Sequence, residues 1–273
     1  MMVASQGAEI FYTTRGSGPV CLVPSAIGTA FYERTLPAAL DAHVTLAFVD
    51  LRGGGQSTGD PSTLTFDGAA LDFDAVRRAL GQERVAVLGH SALGVLALEY
   101  GRRRPESVSH VITVGAPPFG DMARLQAAAA AFLERDASAE RKARLRANQA
   151  ALPAQPTPGQ LVLAQAPLRY FDPAFDAAPL FAAAVLRPAL LQHLLGPLTG
   201  AWEVTADAHV PVPRLLLLHG RHDYIVPPTL WDGVAERLPG SRRVLFERSS
   251  HHPFVDEPER FASVVAEWIA AAG

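Results

Sequence analysis

The stretch from Val85 to Gly94 constrains the fold more than any other part of this 273-residue chain. An apolar, β-branched run ends in Gly89-His90-Ser91, as a buried parallel strand would. Apolar residues then recur at helical spacing, at Leu93, Leu96, Ala97 and Tyr100. The sequence therefore predicts a strand, a sharp turn that carries Ser91, and a helix.

Ser91 is a candidate nucleophile because of this turn. A serine between a strand and a helix has strained backbone angles and presents its hydroxyl at the edge of the sheet. The helix N-terminus offers free N–H groups to an oxygen that becomes negative during acyl transfer. However, Leu93 stands where the Gly-x-Ser-x-Gly pattern has its second glycine, and Gly94 comes one position later. The alternative interpretation is that Ser91 only caps the helix.

Strand and helix patterns alternate on both sides of this stretch. We expect strands at residues 44–50, 85–90, 108–114, 214–220 and 242–246, with amphipathic helices between them. This alternation predicts an α/β protein with a mostly parallel, doubly wound sheet. A hairpin of residues 8–14 and 20–23 is expected to open the chain. Ligands of such sheets bind at the carboxyl ends of the strands.

Residues 117–210 interrupt the alternation with Ala-rich helical sequence and Pro-rich breaks. No sheet strand is evident there. Because this segment directly follows the carboxyl end of a strand, we predict a helical cap over the site, inserted into a core of residues 1–116 and 211–273. The alternative is a helical extension of the core.

Three predicted strands lead, in chain order, to Ser91, Asp223 and His251. A serine nucleophile needs a base to take its proton, and the base needs a carboxylate that orients it. Asp223 alone could form a turn, and His251 alone could be a surface residue. Together, in the order Ser, Asp, His at one edge of a sheet, they predict a catalytic triad.

Composition and charge exclude several other classes of protein. The net charge of −3 gives no electrostatic signature of nucleic-acid or membrane binding. The single Cys21 excludes an internal disulfide. The N-terminus lacks a signal-peptide pattern, so a cytoplasmic location is expected. The Gly-rich turn at residues 51–57 matches no nucleotide-binding motif, and no cofactor or metal is predicted.

The chain resembles the α/β-hydrolase superfamily over almost its whole length. The motifs that carry the resemblance are Asp50 to Ser57, Gly89-His90-Ser91, Gly220 to Pro227, and His251-x-Pro253-Phe254. The resemblance implies that Ser91 is the nucleophile, Asp223 the acid and His251 the base. His252 is the alternative base, but the family pattern places a proline two residues after the base.

The resemblance also implies an oxyanion hole. Its donors would be the backbone N–H groups of Ala92 and Ala26, the latter in the loop Pro24-Ser25-Ala26 where relatives often have His-Gly-Gly. The hydroxyl of Ser25 is a further candidate for contact with the substrate, although a simple turn role is equally compatible with the sequence.

Within the superfamily, several motifs look most like the proline iminopeptidase group. That group needs acidic residues to hold the amine of a substrate, and Glu203 is the candidate here. The His-Gly-Gly-Pro-Gly loop of the group is missing, however. We therefore expect a serine hydrolase for a small, fairly hydrophobic ester-type substrate, as in an esterase or lactonase, and hydrolysis of a carbon–carbon bond also stays open. The alternatives are a proline iminopeptidase-like aminopeptidase and a non-catalytic or slow ligand-binding protein of the same fold. The sequence leaves the oligomeric state open.

Overall fold

The computed structural model describes residues 1–204 and 214–271. The predicted boundary between cap and core at residues 210 and 211 lies outside these ranges. One sheet of eight strands organises the described chain: β1 (Met2–Ser5), β2 (Ala8–Arg15), β3 (Val20–Ser25), β4 (Thr45–Asp50), β5 (Val85–His90), β6 (Val108–Val114), β7 (Leu215–Gly220) and β8 (Arg242–Phe246).

The order of the strands in the sheet is β1-β2-β4-β3-β5-β6-β7-β8. Strands β3 to β8 are parallel, and β1 and β2 are antiparallel at one edge. The central strands β3, β5 and β7 are buried at every position, as their continuous apolar sequence predicts. The α/β class with a mostly parallel sheet is thus confirmed.

Eleven α-helices accompany the sheet within the described ranges. They are α1 (Thr29–Thr35), α2 (Phe66–Ala79), α3 (Ala92–Arg103), α4 (Met122–Asp136), α5 (Ala139–Ala150), α6 (Pro158–Ala164), α7 (Ala166–Arg169), α8 (Ala178–Phe181), α9 (Pro188–His193), α10 (Pro253–Asp256) and α11 (Pro258–Ala270). Helices α4 to α9 all lie between β6 and β7 in the chain. None of the helices described is long and apolar enough to cross a membrane.

The expected opening hairpin is wrong. β2 pairs with β1 and β4, whereas β3 lies between β4 and β5. The turn at residues 16–19 therefore connects two strands that are not neighbours. The physical reason is burial: β3 is apolar on both faces and needs a central place among parallel strands, while β2 alternates and suits a position near the edge.

Asp50 is the last residue of β4 and makes hydrogen bonds to the turn that follows this strand. Its carboxylate accepts the N–H of Gln56 at 2.8 Å, and its carbonyl accepts the Ser57 hydroxyl at 2.9 Å. Burial raises the pKa of Asp50 to about 6. Because this exceeds the value in the unfolded chain, the folded state binds more protons between about pH 4 and pH 6, and stability falls as the pH rises through that window.

Asn cannot ionise, so the free energy of unfolding of Asp50→Asn, relative to the wild type, is expected to be higher at pH 8 than at pH 4.5. Urea unfolding at the two pH values measures the difference. Asp60→Asn is the control. Hydrogen bonds from Ser62 lower the pKa of Asp60, so the effect of this substitution on the free energy of unfolding is expected to change with pH in the opposite direction. An equal effect of Asp50→Asn at both pH values would contradict the raised pKa.

Candidate active site

Three strands of the sheet bring the predicted catalytic residues to one edge. Ser91 follows β5, Asp223 follows β7 and His251 follows β8. Gly115 follows the strand between them, β6. Because parallel strands end at the same edge, residues separated by 160 positions in the chain lie close together.

Ser91 occupies a strained turn between β5 and α3, with φ 56° and ψ −132°. The helix packs so closely on the strand that a Cβ at Gly89 would overlap the carbonyl oxygen of Leu93, and a Cβ at Gly94 would overlap Ala116. Gly94, although one position later than the motif places its glycine, thus still permits α3 to pack closely against the sheet. The Leu93 side chain lines the cavity at Ser91 instead of disrupting the turn.

Asp223 and His251 form a fully buried pair. Nδ1 of His251 donates to Oδ2 of Asp223 at 2.8 Å, while Oδ1 accepts the N–H groups of Ile225 and Val226 at 2.9 and 2.8 Å. Because the carboxylate holds the proton on Nδ1, Nε2 of His251 is the basic nitrogen. Nε2 is buried and has no hydrogen-bond partner among the described residues.

Two further histidines, His90 and His252, lie next to His251 and bond to the neighbouring backbone. Nε2 of His90 donates to the backbone carbonyl of His251 at 3.0 Å, and Nδ1 of His90 accepts the hydroxyl of Tyr32 at 3.1 Å. Nδ1 of His252 donates to the carbonyl of Arg169 at 3.2 Å. Burial lowers the pKa of both His90 and His252 well below the ordinary value, so both rings are neutral.

Two cavities meet at Ser91. The first has a volume of about 230 Å³ and contains His251 and His252. Its walls are mainly apolar, with Ile27, Phe31, Leu93, Phe181, Leu191 and Leu194. The second cavity has a volume of about 160 Å³ and shares Ser91, Ala92, Arg169 and Leu195 with the first.

Ala26 and Ala92 line the first cavity beside Ser91. Within residues 1–204 and 214–271, neither backbone N–H donates a hydrogen bond, so both can serve an oxygen of a bound molecule. Ser25 does not line this cavity. Its hydroxyl donates to the carbonyl of Gly28 at 2.8 Å and accepts the N–H of Ile27 at 3.3 Å. The side chain of Ser25 therefore shapes the loop that carries Ala26.

Comparison with known proteins identifies the family. The model of the alpha/beta hydrolase fold family matches residues 18–258 of the chain. The chain belongs to this family. It is 28% identical to the AB hydrolase superfamily protein YclE of Bacillus subtilis, over 97% of this chain and 96% of that protein. The superfamily resemblance in the sequence is thus confirmed, and the chain is a hydrolase of the α/β fold.

Solved structures of other α/β hydrolases share the fold. An esterase from Exiguobacterium antarcticum superposes with a TM-score of 0.68 at 20% identity, over 99% of each chain. A proline iminopeptidase from Mycobacterium smegmatis superposes with a TM-score of 0.69 at 23% identity, over 98% of this chain and 97% of that one. At these identities the likeness concerns the fold alone.

In this α/β hydrolase, Glu203 does not reach either cavity at Ser91. Its exposed carboxylate forms an ion pair with Arg124 at 3.0 Å, and its backbone bridges to Phe119. The structure therefore does not bring Glu203 together with Ser91, and its carboxylate pairs with a surface arginine instead.

Two residues at the site are missed by sequence reasoning. Gly115 packs against the Asp223–His251 pair, and its position directly after β6 is the signal that could have revealed it. Arg169 lines both cavities but belongs to the short helix α7, and no sequence motif marks it.

We expect Gly115→Ala to lower kcat about tenfold or more. Gly115 has φ +55°, and an added Cβ would lie 3.0 Å from Nδ1 of His251 and 3.1 Å from Oδ2 of Asp223. The substitution therefore disturbs the hydrogen bond that orients the base, in addition to straining the backbone. Steady-state kinetics on an ester, with urea unfolding in parallel, measures both effects.

Gly81→Ala is the matched control. Gly81 has φ +67°, but no atom lies within 4 Å of an added Cβ. We expect it to lose about 1 kcal/mol of stability from backbone strain and to keep its kcat. Equal kcat values for the two variants would show that Gly115 has no role in placing the Asp223–His251 pair.

Proposed function

We propose that this protein is a serine hydrolase that cleaves small, fairly hydrophobic esters through an acyl-enzyme on Ser91. The observation that carries the proposal is the basic, unpartnered Nε2 of His251, which is oriented by Asp223 and buried in the cavity that Ser91 lines. A nucleophile, a base and an orienting carboxylate at one cavity are the parts that acyl transfer requires.

The reaction follows from this arrangement. His251 Nε2 takes the proton of the Ser91 hydroxyl as its oxygen attacks the ester carbonyl, and Asp223 stabilises the imidazolium. The N–H groups of Ala26 and Ala92 bind the oxyanion, and each donor contributes about 3 kcal/mol to stabilisation of the transition state. His251 then protonates the leaving alcohol, and it activates the water that releases the acid from Ser91.

The cavity walls favour an apolar acyl group. Helices between β6 and β7 contribute Phe181 from α8 and Leu191 from α9 to the first cavity, and we propose that residues 117–210 act as the cap. An aminopeptidase needs a carboxylate to hold the substrate amine, and the described lining of both cavities contains none. Esters therefore rank above peptides as substrates.

A series of p-nitrophenyl esters from acetate to octanoate, measured beside proline naphthylamide, tests the proposal. A cavity of about 230 Å³ is below the usual range for drug-sized ligands, about 300 to 1,000 Å³. We therefore expect kcat/KM to be highest for the esters with short acyl chains and to be lower for the octanoate ester. Preference for proline naphthylamide would indicate the aminopeptidase, and turnover of neither would indicate the ligand-binding protein.

A further inference from the structure

Arg169 lies at the junction of the two cavities beside Ser91. The only side chains that the two cavities share, within the described chain, are those of Ser91, Ala92, Arg169 and Leu195. Arg169 is also the one arginine or lysine in either described lining. Arg169 thus adds a permanent positive charge to the lining next to Ser91, in both cavities.

The guanidinium group of Arg169 is poorly satisfied by the protein. One of its N–H groups donates to Oε1 of Gln165 at 2.9 Å, but Nε is buried and without a hydrogen-bond partner. In the described ranges Arg169 forms no ion pair. Asp223 attracts it through space, but that carboxylate is occupied by His251 and two backbone N–H groups. Charged groups buried in a protein are normally paired, so the unpartnered Nε of Arg169 leaves room for an anionic partner.

The backbone around Arg169 is held in place. The guanidinium of Arg141 donates to the carbonyls of Pro167, Tyr170 and Phe171. The carbonyl of Arg169 itself accepts the N–H of His251 at 3.0 Å. Arg169 is therefore fixed relative to the proposed base, and its placement at the site is preorganised.

We propose that Arg169 binds a carboxylate of the substrate, located within a few bonds of the scissile ester carbonyl. This inference rests on the proposed ester hydrolysis. A single guanidinium among mainly apolar walls, with no other arginine or lysine in the described lining, suits one monoanionic group, whereas a phosphate dianion needs more donors. The cation also offsets the repulsion between a substrate carboxylate and the oxyanion that forms at the carbonyl.

Two methyl esters of the same shape test the proposal. Monomethyl succinate carries a carboxylate where methyl 4-methylpentanoate carries an isopropyl group. We expect Arg169→Met to lower kcat/KM for monomethyl succinate about tenfold to hundredfold and for the neutral ester less than about threefold. Arg169→Lys keeps the charge but loses the paired N–H donors of the guanidinium. Its kcat/KM for monomethyl succinate is expected to lie between those of the wild type and Arg169→Met. Equal losses on both esters, or wild-type turnover of the neutral ester alone, would overturn the proposal.

Binding to a variant without the nucleophile separates this inference from the proposed function. Calorimetry measures the affinity of monomethyl succinate for Ser91→Ala and for Ser91→Ala/Arg169→Met, with thermal unfolding as a check that both are folded. A loss of about tenfold or more in the double variant supports the carboxylate site even if the wild type hydrolyses neither ester. Equal affinities, or no binding to Ser91→Ala, would refute the site even if neutral esters are hydrolysed.

Discussion

Ser91→Ala is expected to reduce kcat for a short-chain p-nitrophenyl ester by about four to six orders of magnitude. The substitution removes the oxygen that forms the acyl-enzyme and leaves the binding cavity intact. Alanine has the same Cβ as serine, so the strain of the turn at φ 56° changes little. The residual rate is expected to come from binding and the N–H groups of Ala26 and Ala92 alone.

The melting temperature and near-ultraviolet circular dichroism of Ser91→Ala serve as the control for folding. Both are expected to stay close to those of the wild type, because Ser91 is the N-cap residue of α3 but its hydroxyl makes no capping hydrogen bond to the helix. Turnover within about tenfold of the wild type would mean that another group performs the attack, and the proposed mechanism would be wrong.

The adjacent histidines provide the second large contrast. His251→Ala is expected to lower kcat about 10⁴-fold, because no other base in the described lining of this cavity is oriented by a carboxylate. His252→Ala is expected to lower kcat less than about thirtyfold. The ring of His252 stacks on Tyr170 at 4.8 Å and bonds the carbonyl of Arg169, so its loss mainly affects packing.

The two substitutions are well matched, since both rings are buried and adjacent in the chain. Kinetics must be measured at a temperature where both variants are folded, because loss of the stacked ring of His252 costs about 1 kcal/mol. Asp223→Asn, which removes the charge that orients His251, is expected to resemble His251→Ala in kcat. If His252→Ala abolished turnover and His251→Ala did not, the assignment of the base would be reversed.

The sequence predicts most of the fold because the burial of apolar strands determines their positions in the sheet. Strands β5 and β7 begin as continuous apolar runs, and such runs have few alternatives to a central position in a parallel sheet. The position of Ser91, Asp223 and His251 at one edge follows from the strands that precede them. The pairing of β2 and β3 was mistaken because a short turn alone cannot show which strands are neighbours.

Side chains that meet across long distances in the chain are not predictable in the same way. Glu203 pairs with Arg124, which lies 79 positions earlier, and this contact leaves no pattern in the local sequence. Arg169 reaches the cavities because the carbonyl of its own residue is bonded to the loop of His251, 82 positions later. Such placement depends on tertiary packing rather than on periodicity.

Covalent labelling of Ser91 is the most direct test of the central claim, that this serine is an activated nucleophile. The intact mass is measured after treatment with a fluorophosphonate, and the modified peptide is then sequenced by fragmentation. We expect one adduct per chain, located on Ser91, and much slower labelling in His251→Ala. An unmodified wild-type protein, or an adduct on a different residue, would contradict the claim.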